Sequence, residues 1–259
     1  METNAFKGLM RKEWLLSKNT FILLLCFKLF IWAVVLGGSV ITKNPELLYI
    51  ATSMIVGIHV IYITMIVGSG LSLEEKSQMW LHNPRSTSMI LGSKLLTGIL
   101  LQFISLFLAC ILLGLTVIIL DSPSENFLTA GSLFQMCIQL TFSGLELAIF
   151  YTFYWTVYHS MGKFVFVAKF KKVLFTLFII ASIILILFLE NQLLAGLQSV
   201  LPVPIELTKF MNVYIEEDGL GVKSGSEKIS LAGLLISSIK ITVLFFISSL
   251  LLNKAVEVK

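Results

Sequence analysis

The sequence predicts an all-α polytopic membrane protein with six transmembrane helices, an N-terminal amphipathic interfacial helix and a short cytosolic helix. Its mean hydropathy is +0.94 over 259 residues. Charged residues make up 13% of the chain, whereas soluble domains carry about 25%. Six apolar runs approach or exceed the length of about twenty residues that a helix needs to cross a bilayer. Together these observations exclude an ordinary soluble domain.

The six apolar runs define the predicted spans. Breaks at 43–46 and 121–124, which contain proline and charged residues, separate neighbouring spans. The third and fourth runs are longer than a bilayer requires, so we expect these helices to tilt or to project beyond it. The predicted spans are 19–42, 47–71, 88–120, 128–158, 173–190 and 231–252.

Positive charge is unevenly divided between the two sides of this arrangement. The chain has 19 lysines and arginines. Of these, 13 fall on the side of the membrane that holds the N-terminus, four fall on the opposite side and two lie inside spans. Cytosolic segments of membrane proteins carry the excess of lysine and arginine. We therefore expect a multi-pass protein of the cell membrane with both termini in the cytosol, and a bacterial plasma membrane as its location.

Residues 1–18 precede the first span and carry much of their positive charge on one side. On a helical wheel, Lys7, Arg11 and Lys18 fall within a narrow arc, and Phe6 and Leu9 lie opposite. This pattern is typical of an amphipathic connecting helix that lies on the inner membrane surface. The alternative is a solvated basic tail that only enforces topology. The same charges argue against a cleaved signal peptide.

The segment EEKSQMWLHNPRSTSMILGSK, residues 74–94, interrupts the apolar pattern between the second and third spans. Pro84 stops a regular helix, and Ser86 is placed to cap the next helix. The expected result is a cytosolic loop over 72–90 with a short helix across the membrane plane. That helix would present Trp80, Leu81 and His82 outward.

Residues 74–94 resemble the first cytosolic loop of ABC-2 type permeases, the membrane half of ABC exporters. The shared features are an acidic group, a leucine, a Pro-x-Ser and an apolar stretch that ends in Gly-x-Lys. In this chain they are Glu74-Glu75-Lys76, Leu81, Pro84-Arg85-Ser86 and Ile90-Leu91-Gly92-Ser93-Lys94. The resemblance implies a coupling helix that docks in a groove of an ATPase subunit. Its expected contact residues are Glu74, Glu75, Trp80, Leu81, His82, Pro84 and Ser86.

The resemblance also implies an external element between the fifth and sixth spans, where residues 191–230 lie. We expect two short apolar helices, over 191–200 and 205–213, separated by Pro202 and Pro204. They would form a re-entrant hairpin that enters the outer leaflet. The polar, glycine-rich residues that follow, up to Ser230, would be solvated.

The chain lacks the sequence G-x-x-x-x-G-K-[ST], so we expect no nucleotide site and no enzymatic activity of its own. ATP and Mg would bind to a separate cytosolic P-loop ATPase. We expect two ATPase subunits and two permeases, either two copies of this chain or this chain with a related one. The net charge of +4 reflects topology, so nucleic acid is not an expected partner. Cysteines at 26, 110 and 137 follow no metal-binding spacing, and no disulfide or metal is expected.

Three charged residues lie deep in the predicted spans: Lys28, Glu146 and Lys240. A charge at the bilayer centre costs about 3 kcal/mol, so each needs a partner or water. Glu146 could pair with Lys28 or with Lys240. Gln139 and Ser143 share a helix face with Glu146. These three residues would form a polar stripe, which would serve either as a translocation surface or as a hydrogen-bonded seam between helices.

The sequence therefore favours the permease subunit of an ABC exporter for a hydrophobic or amphiphilic cargo, such as a peptide, lipid or drug. Membrane lipids would contact the basic residues of the inner loop 163–172. One alternative is a secondary transporter or channel that uses no ATP. Another is an accessory or immunity protein with the same fold but no transport activity. His59, isolated in the second span, is expected to serve helix packing.

Overall fold

A computed structural model describes residues 2–43, 45–77, 85–120, 130–161, 169–200, 204–216 and 219–254. Seven α-helices and two strands follow one another along these ranges. They are α1 (Glu2–Thr42), α2 (Pro45–Gly57), a 3-10 turn (Ile58–Ile61), α3 (Tyr62–Ser77), α4 (Thr87–Leu120), α5 (Ala130–Met161), α6 (Lys171–Val200), β1 (Pro204–Glu216), β2 (Gly219–Ser230) and α7 (Leu231–Lys254).

Six helical stretches in these ranges are long and apolar enough to cross a membrane. The second of them combines α2, the 3-10 turn and α3. The stretches are Asn4–Thr42, Leu47–Lys76, Thr87–Ile119, Leu133–Met161, Lys171–Leu197 and Leu231–Asn253. The prediction of six spans is confirmed by length and composition, and the architecture fits a multi-pass membrane protein.

Helix α1 is continuous over 41 residues. At about 1.5 Å per residue it is roughly 60 Å long, about twice the thickness of the hydrocarbon layer. The prediction of a separate interfacial helix over 1–18 is wrong, since no proline interrupts the helix between Glu2 and Thr42. A buried stripe at intervals of four or seven residues runs along its inner face. It consists of Leu9, Glu13, Ser17, Phe21 and Lys28.

The largest apolar core forms where α3, α4, α5 and α7 meet. Ile63, Leu71, Leu95, Phe153 and Leu244 belong to it. Helices α1 and α2 pack against α4 on the other side. Helix α6 lies at the edge of the bundle, and no residue in its most apolar stretch is buried. The bundle therefore places polar side chains of α1, α3, α4 and α5 in its interior.

Residues 191–230 differ from the prediction. Helix α6 continues to Val200, and the chain then forms an antiparallel hairpin in which Pro204 lies opposite Ser230. Residues 191–200 are helical as predicted, although they form the end of α6, and the predicted helix over 205–213 is wrong because these residues form β1. β1 is rich in β-branched and aromatic residues, and β2 contains several glycines, which are poor helix formers. The all-α class therefore describes the membrane spans, and the hairpin is a β-structured addition.

Candidate functional site

Four charged side chains from three helices meet in a group that we call the Glu13 cluster. It consists of Lys12 and Glu13 from α1, Glu74 from α3 and Lys94 from α4. Lys94 Nζ lies 2.8 Å from Glu13 Oε2 and 3.1 Å from Glu74 Oε2. Lys12 Nζ lies 2.5 Å from Glu74 Oε1 and 3.8 Å from Glu13 Oε1. Two cations and two anions therefore balance one another.

Three of the four members of the Glu13 cluster are almost completely buried, whereas the side chain of Lys12 is 29% exposed. The exposed fractions are 2% for Glu13, 0% for Glu74 and 2% for Lys94. Removing a charge from water costs several kcal/mol, and only close partners of opposite sign offset that cost. The cluster therefore holds α1, α3 and α4 in one relative arrangement.

The predicted coupling residues take different positions around this cluster. Helix α3 extends to Ser77, so Glu74 and Glu75 are helical and the loop begins later than predicted. The expectation that Glu74 contacts a partner directly is wrong, because its side chain is buried. The side chain of Glu75 is 42% exposed, with Oε2 3.7 Å from His159 Nε2. Trp80, Leu81, His82 and Pro84 lie outside the described residues.

Ser86 occupies the capping position that the sequence predicts for the third span. Its carbonyl oxygen accepts hydrogen bonds from the backbone N–H groups of Met89 and Ile90, at 3.1 and 3.2 Å. The next residue, Thr87, donates from Oγ1 to the Ser249 carbonyl at 3.0 Å. The start of α4 is therefore attached to α7 as well as, through Lys94, to α1 and α3.

Sequence reasoning missed Lys12 and Glu13 as members of a buried cluster. Lys12 counts among the residues that set the topology, and Glu13 only among the N-terminal charges that argue against a signal peptide. The signal was present, because Glu13 lies four residues after Leu9 and four before Ser17, on a face that is otherwise apolar or small. Lys94 was recognised only as the end of a motif.

Further along α1, Lys28 lies in a second buried polar group, the Lys28 site, with His59 and Ser105. Lys28 Nζ is 3.0 Å from His59 Nε2 and donates to Ser105 O at 3.0 Å and to Ser105 Oγ at 2.5 Å. His59 Nδ1 is 3.0 Å from the carbonyl oxygens of Ile55 and Val56. Since carbonyls only accept, Nδ1 carries the proton and Nε2 accepts from the lysine.

The 3-10 turn Ile58–Ile61 positions His59 in the middle of the second span. Gly57, a poor helix former, directly precedes this turn. The His59 ring stacks on Tyr62, with 5.5 Å between centroids. His59 therefore contacts α1 by accepting a hydrogen bond from the buried Lys28 side chain, in addition to its packing on Tyr62.

A third group, the Lys240 cluster, joins α5, α6 and α7. Lys240 Nζ lies 2.6 Å from Glu146 Oε1 and 3.2 Å from each carboxylate oxygen of Glu190. Of the two pairings that the sequence allowed for Glu146, the structure forms the one with Lys240. Gln139 and Ser143 are half-buried on α5, and Glu146 is the residue of their stripe that contacts the lysine.

No protein-family model matches the chain, and no solved structure matches it. A similar curated protein is the uncharacterized protein YhcE of Bacillus subtilis (strain 168), 25% identical over 173 residues. The match covers 61% of this chain and 64% of that relative. The name of YhcE states no activity.

Proposed function

We propose that this chain is the permease subunit of an ATP-driven ABC exporter with a separate cytosolic P-loop ATPase. The resemblance of residues 74–94 to the coupling loop of ABC-2 permeases suggests this function. The observation that carries the proposal is the Glu13 cluster. It joins Glu74, the first residue of that segment, to Lys94, the last, and attaches both to α1 through Glu13.

The proposed mechanism uses this attachment to transmit force. Closure of the paired ATPase subunits would press on the chain between Ser77 and Arg85, and the ion pairs would pass the movement to α1, α3 and α4 together. Separating these helices would leave buried charges unpaired, at a cost of about 3–5 kcal/mol. The helices would therefore move as one body between two access states.

The proposal assigns the other components by chemistry. ATP and Mg bind to the partner ATPase, and a second copy of this chain or a related permease completes the membrane part. Both termini and the 74–94 segment lie on the cytosolic side of the cell membrane. Lysine and arginine are most abundant in the segments on that side. Lipids with anionic headgroups contact the basic loop 163–172, of which 163–168 lie outside the described residues. The cargo is hydrophobic or amphiphilic.

Co-purification tests the proposal. The tagged chain is extracted from its native membrane in mild detergent, and mass spectrometry identifies its partners. We expect a P-loop ATPase, lost when Glu75→Ala and Leu81→Ala are combined. The matched control combines Lys43→Ala, between the first two spans, with Leu47→Ala, at the start of the second span, and we expect it to keep the ATPase. Repeated recovery without any ATPase would refute the proposal.

The 3-10 turn favours a second candidate, an ATP-independent secondary transporter or channel. Such transporters interrupt helices near the membrane midplane to bind substrates or ions. Here the interruption places His59 against Lys28, well inside two spans. The same co-purification separates the candidates, because a secondary transporter is recovered without an ATPase.

A further inference from the structure

Lys28 has only uncharged hydrogen-bond partners, unlike the other buried lysines. Its Nζ contacts His59 Nε2 and two oxygens of Ser105, and no carboxylate of the described residues forms an ion pair with it. Lys94 and Lys240, in contrast, each contact two carboxylates. Lys28 is only 8% exposed. A protonated Lys28 is therefore a positive charge inside a span without a counter-ion, which is costly in hydrocarbon.

Two polar side chains without hydrogen-bond partners in the described ranges lie on the elements that contact Lys28: Gln102 is on α4, which also carries Ser105, and Tyr62 begins α3. Gln102 is 0% exposed, and neither its amide nitrogen nor its amide oxygen has a partner among the described residues. The Tyr62 hydroxyl faces Ser105 but has no partner with normal hydrogen-bond geometry among the described residues, and its ring centroid lies 5.9 Å from Lys28 Nζ. A buried polar group without a partner costs about 1–3 kcal/mol. These groups remain available for an additional oxygen ligand.

The missing side chain of Gly144 leaves space for the Gln102 amide and the Val60 carbonyl. Gln102 precedes Ser105 by one helical turn, so both side chains lie on the same face of α4. A Cβ atom at Gly144 would lie 3.1 Å from Val60 O and 3.2 Å from Gln102 Oε1. Glycine at 144 therefore allows α5 to approach Gln102 and the 3-10 turn. Irregular backbone at membrane depth is tolerated where it lines a polar site.

The surroundings of the polar groups are apolar. Tyr62 belongs to a cluster with Phe21, Ile66 and Leu101. A ligand that reaches Lys28 from the bilayer must therefore carry a hydrocarbon chain. A ligand that neutralises Lys28 must carry a negative charge.

We propose that Lys28, Tyr62, Gln102 and Ser105 bind the carboxylate of a single-chain amphiphile within the membrane. Its oxygens accept hydrogen bonds from the Lys28 ammonium, the Tyr62 hydroxyl and the Gln102 amide. The carboxylate replaces one of the neutral acceptors of Lys28 and supplies the missing negative charge. This site rests on contacts of this chain alone and does not depend on the proposed ATPase.

Binding of oleate to the purified full-length protein in detergent tests the site. Native mass spectrometry counts bound molecules over a range of oleate concentrations. Oleyl alcohol tests the hydrocarbon chain without a carboxylate, and acetate tests the carboxylate without a long hydrocarbon chain. We expect one oleate per chain and weak binding of the other two. Lys28→Met should weaken oleate binding by about ten-fold or more, the loss of one charged hydrogen bond.

Lys18→Met is the matched control, since it removes an exposed lysine from the same helix, and we expect unchanged oleate binding. If Lys28→Met does not fold, Tyr62→Phe removes only a hydroxyl and should weaken binding by about three-fold. If Lys28→Met binds oleate with wild-type affinity, the proposed site is overturned. The same holds for Tyr62→Phe if that variant has to replace Lys28→Met. Equal binding of oleyl alcohol, binding of acetate alone, or no binding of oleate also overturns the site.

Discussion

Lys94 and Glu74 form an ion pair of 3.1 Å, although they stand at opposite ends of the 74–94 segment. The same lysine contacts Glu13 at 2.8 Å, so three helices share one buried cation. The ion pair between Lys94 and Glu74 therefore joins the first and last residues of the charged segment between the second and third spans.

The first prediction concerns Lys94→Met. Methionine approximates the size of lysine but leaves Glu13 and Glu74 with only Lys12 as a partner, so the free energy of unfolding should fall by about 3 kcal/mol. Unfolding of the purified protein by SDS in mixed micelles measures the change. Lys18→Met, at an exposed position of α1, is the control and should leave stability within about 0.5 kcal/mol of wild type. Equal stability of the two variants would contradict the role of the cluster.

The second prediction compares members of the Lys240 cluster. Glu146→Gln removes one charged partner while Lys240 keeps Glu190, so we expect a loss of about 1–2 kcal/mol. Lys240→Met leaves two carboxylates without a cation and should cost more. The same SDS titration measures both.

Glu146→Gln also separates the two interpretations of the polar stripe on α5. A seam between helices predicts lower stability with unchanged transport in reconstituted vesicles. A translocation surface predicts loss of transport at nearly unchanged stability, and that result would contradict the seam.

The third prediction concerns Gly144→Ala. The new methyl group would lie 3.1 Å from the Val60 carbonyl oxygen, an atom that backbone geometry holds in place. We expect a loss of about 1–3 kcal/mol through forced separation of α5 from the 3-10 turn. Gly114→Ala is the control, because nothing lies within 4 Å of its added methyl group. The control should be neutral or gain up to about 1 kcal/mol from better helix propensity. A Gly144→Ala protein as stable as the Gly114→Ala protein would show that α5 does not approach so closely.

The fourth prediction tests the packing of α4 against α5. Cys110 Sγ and Cys137 Sγ lie 3.8 Å apart, close enough that a small shift brings them to the disulfide bond length of about 2.05 Å. Copper phenanthroline in isolated membranes should join them, and peptide mass spectrometry should show the loss of two hydrogens. Cys26→Ser should not affect the reaction, whereas Cys137→Ser should abolish it. Cross-linking of Cys26 in preference to this pair would contradict the packing.

Several features of the candidate site could be predicted from local sequence. Glu146 and Lys240 were placed as a possible pair because both lie deep in apolar runs and carry opposite charges. Ser86 is predicted at the start of a helix because serine is a favoured N-cap residue and Pro84, two residues earlier, stops the preceding helix. These predictions needed only depth in the membrane and neighbouring residue types.

Other features depended on contacts between distant residues. In the sequence Glu13 is only one of several charges near the N-terminus, and the packing of α1 on α3 and α4 brings it to Lys94. His59 was isolated in sequence, yet the 3-10 turn and α1 bring it to Lys28. The hairpin was mistaken for helix because its two strands supply each other's backbone hydrogen bonds across a turn.

The sequence by itself determined the number of membrane spans and their approximate limits, since length and hydropathy are properties of each segment alone. Only the tertiary structure decided which charges meet. The rotation of each helix about its axis determines which face points inward, and that rotation is set by the packing of all neighbours. Lys94 therefore meets two carboxylates, whereas Lys28, on α1, meets none among the described residues.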